Sequence, residues 1–268
     1  MARTKLVTLL TDFGTADGYV GAMKGVILRN APGAMVVDIA HDIPPQNVVA
    51  AAHAAAAAIP LFPQGTIHAV VVDPGVGSDR NILAARVDGQ VVLAPDNGVL
   101  SVLTSHHPAE QIVSLRNPRY VPAAGASRTF HGRDIFAPVA AHLLNGVAMG
   151  SLGPPPNTVT VLDLPVPSVT QHRIDGRVLY ADRFGNLITN IPAPLLTEPF
   201  PDLSVTRVWL GERLIGPVLP SYSFTGEDQA VALVNSIGSL EIAVNRGSAA
   251  DRFGAEFGAP VAVTLAGR

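Results

Sequence analysis

The chain has 268 residues, 48% hydrophobic and 15% charged, with 18 Lys plus Arg against 21 Asp plus Glu, a formal net charge of -3 and no cysteine. That length is enough to bury a real core in one large or two modest domains, and the composition is that of a folded chain rather than a disordered one. A weak negative charge without a basic block argues against nucleic acid as a partner, and the lack of cysteine excludes disulfides, thiolate nucleophiles and thiolate metal sites.

The amino-terminal MARTKLVTLLTDFG holds an apolar stretch too short and too polar for a secretory signal, so the expected compartment is the cytoplasm. Lys5 to Leu10 reads as a strand, Tyr19 to Arg29 as a helix and Met35 to Ile39 as a second strand. Asn47 to Ile59 reads as a helix. The Ala-rich segment from Val48 to Leu61 is interrupted by His53 and ends at a Pro, which marks a buried helix rather than a membrane span. Ile67 to Val72 is the most buried-looking strand. Ile82 to Val87 and Val91 to Leu93 follow as strands around the Asp88-Gly89 turn. A short helix over Asn97 to Leu103, a strand over Gln111 to Leu115 and a helix over Asp134 to Leu144 complete this half. Continuous apolar strands joined through helices predict an α/β domain with a mostly parallel sheet covered on both faces, which binds small molecules outside its strands' carboxyl ends.

The pattern changes at LGPPPNTVTVLDLPVPSV, which is too rich in Pro to hold a helix. We place an α/β domain over residues 1–155, a Pro-rich linker over 156–168 and a smaller all-β, barrel-like domain over 169–268. The runs VLYADRFGNLITNI, SVTRVWLGERLIG, QAVALVNSIGSLEIAVN and PVAVTLAG supply its strands.

Polar residues collect at the strand ends of the first half. Asp12 closes the first strand and must stay wet, be paired or accept hydrogen bonds, so ribose contact and a loop turn are both open to it. Asp17 and Asp134 read as helix N-caps, and Arg133 as structural. His41 and Asp42 suit orientation of neighbouring loops, while Asp96 and Asn97 sit in the turn signal PDNG. His53 reads as a packed helix residue; His106 and His107 lie in a polar loop. The segment VVVDPGVGSDR places Asp73 at the end of the buried strand and Arg80 seven positions on, across a Gly-containing loop. His131 and Gly132 precede a helix whose amino terminus offers free amides and close approach. A pairing of Asp73 with Arg80, with His131 nearby, would hold and polarise one water against a carbon electrophile.

Taken together, TDFG-x2-D-x-YVG-x-MKG, FP-x-GTIH-x-VVVDPGVG-x2-R, LAPDNGVLS, TFHGRDIFAP and NS-x-G-x-LEIA-x-N resemble the S-adenosyl-L-methionine (SAM) hydroxide adenosyltransferase family. Its members are also described as SAM hydrolases and are related in fold to SAM-dependent fluorinases and chlorinases. The resemblance runs from about Val7 to the carboxyl terminus. It implies attack of water at ribose C5′ of SAM to give adenosine and L-methionine, with no cofactor and no metal. It implies Asp73, Arg80 and His131 as the water-activating set, Asp12 on the ribose, and Phe130 and Gly132 beside the substrate. In the second domain it implies contacts from Asp182, Phe184, Asn186, Ser236 and Val244, Asn245 and Arg246, with Tyr222 and Phe224 a looser match for packing on adenine. It also implies a homotrimer with substrate held between subunits, and neither nucleic-acid nor membrane partners.

Three other readings are weighed against it. Halide transfer needs a small desolvated pocket that an adjacent carboxylate would oppose, and halogenating relatives depart from the Asp-Arg-His set. A metallohydrolase would recruit Asp12, Asp17, Asp73, His131 and Asp134, without a clustered ligand motif to support it. A non-catalytic nucleoside binder would leave the water-handling residues unexplained.

Overall fold

A computed structural model describes residues 5–121, 125–200 and 202–265, and the chain divides into two compact units, Met1–Leu162 and Asp163–Arg268. The division falls inside the Pro-rich stretch. Backbone amides of Thr160 and Leu162 donate to Asp96 Oδ1 at 2.8 Å and Ser101 Oγ at 2.9 Å, tying that part to the first unit. Asn190 donates to the Pro165 carbonyl at 2.6 Å, tying the remainder to the second.

In chain order the first unit contains β1 (Leu6–Thr11), α1 (Tyr19–Asn30), β2 (Met35–Ala40), α2 (Val48–Ala58), β3 (Ile67–Val71), β4 (Ile82–Val87) and β5 (Gln90–Pro95). α3 (Ser101–His106), β6 (Gln111–Ser114) and α4 (Ala137–Leu144) follow. The six strands form one sheet in the order β2-β1-β3-β5-β4-β6. β4 alone runs against the other five, so the sheet is mostly parallel as the sequence predicts. Both faces are covered, which is why the strands are continuous apolar runs rather than alternating ones. Along β3, Ile67, Ala69 and Val71 enter the core that also contains Met23, Ile27 and Val139 from α1 and α4. Val70 and Val72 enter the opposite core with Ala51, Ala55 and Leu103 from α2 and α3.

Four local expectations change. The N-cap of α1 is Gly18, with no side-chain cap, so Asp17 does not cap it. Asp134 does not begin a helix either: it lies inside a π-type turn, Gly132–Phe136, that runs directly into α4. The short third helix starts at Ser101 rather than Asn97, because Asn97 turns back to donate to the Val72 carbonyl at 2.9 Å. That helix ends on His106, which therefore is not a loop residue. Asn47, by contrast, caps α2 through Oδ1 and the Ala50 amide at 2.9 Å.

The second unit comprises β7 (Ser168–Thr170), β8 (Arg173–Ala181), β9 (Leu187–Pro192), α5 (Ala193–Thr197), β10 (Thr206–Leu210), β11 (Arg213–Gly216) and β12 (Val218–Leu219). β13 (Ala230–Val234), β14 (Ser239–Val244), α6 (Ala249–Phe253) and β15 (Pro260–Leu265) complete it. Its strands follow the path β11-β10-β15-β8-β9-β14-β13-β12, with β7 on the side of β8. β8 pairs with β15 through Arg173–Arg177 and with β9 through Val178–Ala181, so one long strand carries the curl of the sheet. β11 comes back against β13, which makes the sheet a nearly closed barrel around Ile174, Leu187, Val208, Leu240 and Ile242. The two helices of this unit are one turn or so each and do not alter its β character.

Candidate active site

β1 and β3 are neighbours, with Thr11 in register with Val71, so the residues that follow them emerge side by side at the carboxyl edge of the sheet. Asp12 follows β1 directly, and Asp73 follows β3 after the buried Val72. The loop after Asp73 folds by two successive turns, the Val76 amide reaching the Asp73 carbonyl and the Ser78 amide the Gly75 carbonyl, each at 3.1 Å. This returns Arg80 to the strand end. Its Nε donates to Asp73 Oδ1 at 2.6 Å and its Nη2 to Asp73 Oδ2. The side chains are only 9% and 4% exposed, so this is a two-point pair shielded from water rather than a surface tie.

Gly77 sets the position of this loop against the next part of the site. Its φ is +81°, and a Cβ there would stand 2.3 Å from the carbonyl oxygen of Arg128. Only a glycine lets the loop lie flush on the Arg128 backbone. Three residues later the same segment presents His131, whose Nδ1 lies 3.1 Å from Nη2 of Arg80. A guanidinium has no acceptor, so Nδ1 accepts and the proton of the neutral ring sits on Nε2. Burial, then the charge of Arg80, hold the imidazole pKa below its ordinary 6.5, against an opposing pull from Asp73 and Asp134. Asp134 is occupied otherwise: it pairs with Arg133 at 2.6 Å and accepts the Ser127 amide at 2.8 Å, which holds its carboxyl below the usual range.

Asp12, Phe13, Tyr19, Asp73, Phe130 and His131 line one cavity of about 370 Å³, with Gly132 at its wall. Asp12 accepts the amide of Gln46 at 2.8 Å, fixing the loop before α2. His41 supports the other side of this edge. Its Nδ1 lies 2.9 Å from Thr11 Oγ1, its Nε2 lies 3.0 Å from Asp38, and its carbonyl accepts the Gly14 amide at 2.8 Å. Asp42 is exposed.

In the second unit, Asp182, Phe184, Asn186, Tyr222, Ser236 and Glu241 border a separate cavity of about 480 Å³. Asp182 accepts the amides of Phe184 and Asn186 at 2.8 and 2.9 Å and the Asn186 side chain at 3.0 Å, closing its own turn. Asn245 and Arg246 lie instead with Tyr222 around a neighbouring hollow, where Arg246 pairs with Glu227. Phe224 is 63% exposed, and Val244 is 5% exposed with its side chain in the core. Glu241 is absent from the sequence expectations. It is 3% exposed and receives the Tyr222 hydroxyl at 2.6 Å, and burial pushes its carboxyl above the usual range. A lone acid inside the apolar run SLEIAV is the only local signal for it, and without Tyr222 beside it that signal does not mark a site.

Among the described residues, no group of three or more His, Asp or Glu side chains is arranged to hold a metal ion, and no helix is long and apolar enough to cross a membrane. Residues 7–153 match the family model for the SAM hydroxide adenosyltransferase N-terminal domain, and residues 176–262 match that for the C-terminal domain. The chain belongs to the SAM hydroxide adenosyltransferase family. As a member of that family it is an enzyme, and the N-terminal match contains Asp12, Asp73, Arg80 and His131. It is 40% identical over 261 residues to the (R)-S-adenosyl-L-methionine hydrolase of Thermus thermophilus, covering 95% of this chain and 98% of that one. It is 37% identical to the (R)-S-adenosyl-L-methionine hydrolase of Salinispora tropica, over 98% of this chain and 99% of the other. A fluorinase from an Actinoplanes species is more distant, at 26% identity over 97% and 98% of the two chains. Among solved structures, an uncharacterized conserved protein from Thermotoga maritima superposes with a TM-score of 0.88 at 36% identity, over 96% of this chain and 99% of that one.

Proposed function

We propose that this SAM hydroxide adenosyltransferase family member hydrolyses SAM to adenosine and L-methionine, by attack of water or hydroxide at ribose C5′ and without a metal. The observation that carries the reading is the shielded Asp73–Arg80 pair with His131 beside it, Asp73 and His131 facing one cavity, in a chain whose similar relatives are named (R)-S-adenosyl-L-methionine hydrolase. The chemistry needs little else. As the C5′–O bond forms, the C5′–S bond breaks and its electron pair goes to sulfur, which leaves as a neutral thioether. The leaving group therefore requires no acid and no Lewis acid. The remaining tasks are to orient the oxygen opposite sulfur and to remove one of its protons.

The three residues divide those tasks. Arg80 holds Asp73 in place through two donated hydrogen bonds and stabilises developing hydroxide, and is itself no base, because a guanidinium has donors and no acceptor. His131, proton on Nε2, donates to the oxygen and fixes its direction. Asp73 retains free lone pairs and is the proton acceptor, passing the proton to solvent. Asp12 holds the ribose, with Phe130 and Gly132 alongside. Residues of the second unit, Asp182, Asn186, Tyr222 and Ser236 among them, contact the remainder of SAM, and the assembly is a homotrimer.

Incubating the purified protein with SAM in ¹⁸O-labelled water, with and without a chelator and separately with fluoride or chloride, tests the reading. Label in the C5′ hydroxyl of adenosine, undiminished by chelator, supports it. A halogenated nucleoside selects halide transfer, loss of turnover on chelation selects a metal mechanism, and SAM binding with no turnover selects a binding protein. Light scattering checks the trimer, which a monomer would overturn.

A further inference from the structure

We infer that the rings of Phe13, Tyr19 and Phe130 form a cation-reading wall that recognises the sulfonium charge of the substrate and releases the neutral thioether once it forms. The inference rests on the SAM reading and deepens it. The three rings contact one another pairwise, with centroids 5.9 Å apart for Phe13 and Tyr19, 5.8 Å for Phe13 and Phe130, and 5.1 Å for Tyr19 and Phe130. The interplanar angles are 55°, 78° and 85°, so the rings meet tilted or edge to face and no two faces are stacked on each other. Those faces carry the negative part of the aromatic quadrupole, which attracts a cation within about 6 Å of the centroid.

All three rings border the cavity that Asp73 and His131 also border. In-line displacement fixes the sulfur relative to the attacking oxygen: about 3 Å to C5′ and about 2 Å more along the breaking bond put it roughly 5 Å away. A sulfonium held at that distance from an oxygen on the Asp73–Arg80–His131 set stays within the walls of this cavity. The ring of Phe130 already takes a cation, with the Arg133 guanidinium 5.1 Å from its centroid, and that charge is offset by Asp134 at 2.6 Å. Tyr19 is 48% exposed and lines the cavity, so its ring is open to a ligand there. Cleavage converts the sulfonium into an uncharged sulfur. The wall then loses its electrostatic contact while ordinary apolar contact remains, which favours exchange of product for fresh substrate.

The test is a ratio, because apolar packing alone would treat charged and neutral sulfur alike. Dissociation constants for SAM, taken by stopped flow before turnover, and for S-adenosyl-L-homocysteine, whose sulfur is neutral, are measured in the wild type and in Phe13→Leu, Tyr19→Leu and Tyr19→Phe. The preference for SAM is expected to fall about 3- to 30-fold in each Leu variant and to survive in Tyr19→Phe. An equal loss for both ligands, leaving the ratio unchanged, overturns the inference and leaves the hydrolase reading standing. A wild type that binds neither ligand overturns that reading and the inference with it. If Phe13→Leu does not fold, the exposed Tyr19 pair of variants still decides the matter.

Discussion

Nη2 of Arg80 stands 3.1 Å from Nδ1 of His131, so a group that can only donate faces one nitrogen of a ring that must then accept. Protonating Nδ1 would turn this contact into repulsion between two cations. In the proposed mechanism the working form is therefore the neutral imidazole, populated above a pKa that burial and Arg80 hold below 6.5. Turnover is expected to stay level through neutral pH and to fall as pH drops through that lowered value. His131→Ala and Asp73→Ala are each expected to lower single-turnover rate by about 10²- to 10⁴-fold while SAM affinity changes much less. The acidic limb should vanish in the His131 variant. Rate profiles from pH 4.5 to 8 check this, and a limb at or above 6.5 in the wild type would contradict it.

Gly77 is what lets Arg80 and His131 meet, through the contact of its loop with the Arg128 carbonyl. Gly77→Ala introduces strain from φ +81° together with a 2.3 Å clash against backbone, which has no rotamer to yield. The variant is expected to lose about 1–3 kcal/mol of stability. It should also lose most turnover, although the substituted residue touches neither water nor substrate. Gly75→Ala is the control, since its nearest atoms would be 3.5 to 3.7 Å away. Thermal melts and rates for the pair check the assignment; equal behaviour of the two variants would sink it.

The parts of this molecule legible in its sequence are those set by local composition. β1 and β3 are apolar runs because both sheet faces are covered, and α2 declares itself through Asn47 and its alanines. Asp73 and Arg80 were readable as a pair because one short loop with the right glycines joins them. Asp17 and Asp134 misled because an acid before a helical run fits several partners. The first helix took Gly18 as its cap, and Asp134 found Arg133 and the Ser127 amide instead. The π-type turn from Gly132 directly follows His131, whose contact with Arg80 spans 51 positions that no local window contains. Glu241 escaped for a related reason: its partner Tyr222 lies on a turn 19 positions away, and the strand around it reads as ordinary core.

His68, the second residue of β3, is expected to weaken the fold in acid, as is the similarly buried His53. It is fully buried, with Nδ1 2.7 Å from Thr8 Oγ1 and Nε2 2.5 Å from Gln90 Oε1. Burial lowers its pKa to about 4 from 6.5. A depressed folded-state pKa means the unfolded chain binds the extra proton first, so the contribution is intact above pH 6.5 and is lost as pH falls toward 4. The lost amount is on the order of 3 kcal/mol, from about 1.4 kcal/mol per pKa unit. His68→Gln is expected to be less stable at pH 7, having broken the network, yet to lose less between pH 6.5 and 4. Denaturant midpoints at several pH values check the slope, and parallel curves would show that another group is responsible.

Asp12 joins two tasks that substitution can separate. Its Oδ2 accepts the Gln46 amide at 2.8 Å, and Gln46 itself sits at φ 64°, a conformation a non-glycine residue keeps only when held. Asp12→Ala removes both this tether and the proposed ribose contact, and is expected to weaken adenosine binding by at least about 10-fold, the loss of one charged hydrogen-bonding partner. Asp12→Asn keeps an acceptor for Gln46 but replaces the second carboxylate oxygen with a donor. If the carboxylate grips the ribose hydroxyls, the Asn variant loses affinity nearly as far as the Ala variant while its melting temperature stays close to wild type. If the tether is what matters, the Asn variant binds adenosine like wild type. Calorimetric titration of both variants with adenosine, beside their melting curves, separates the two outcomes.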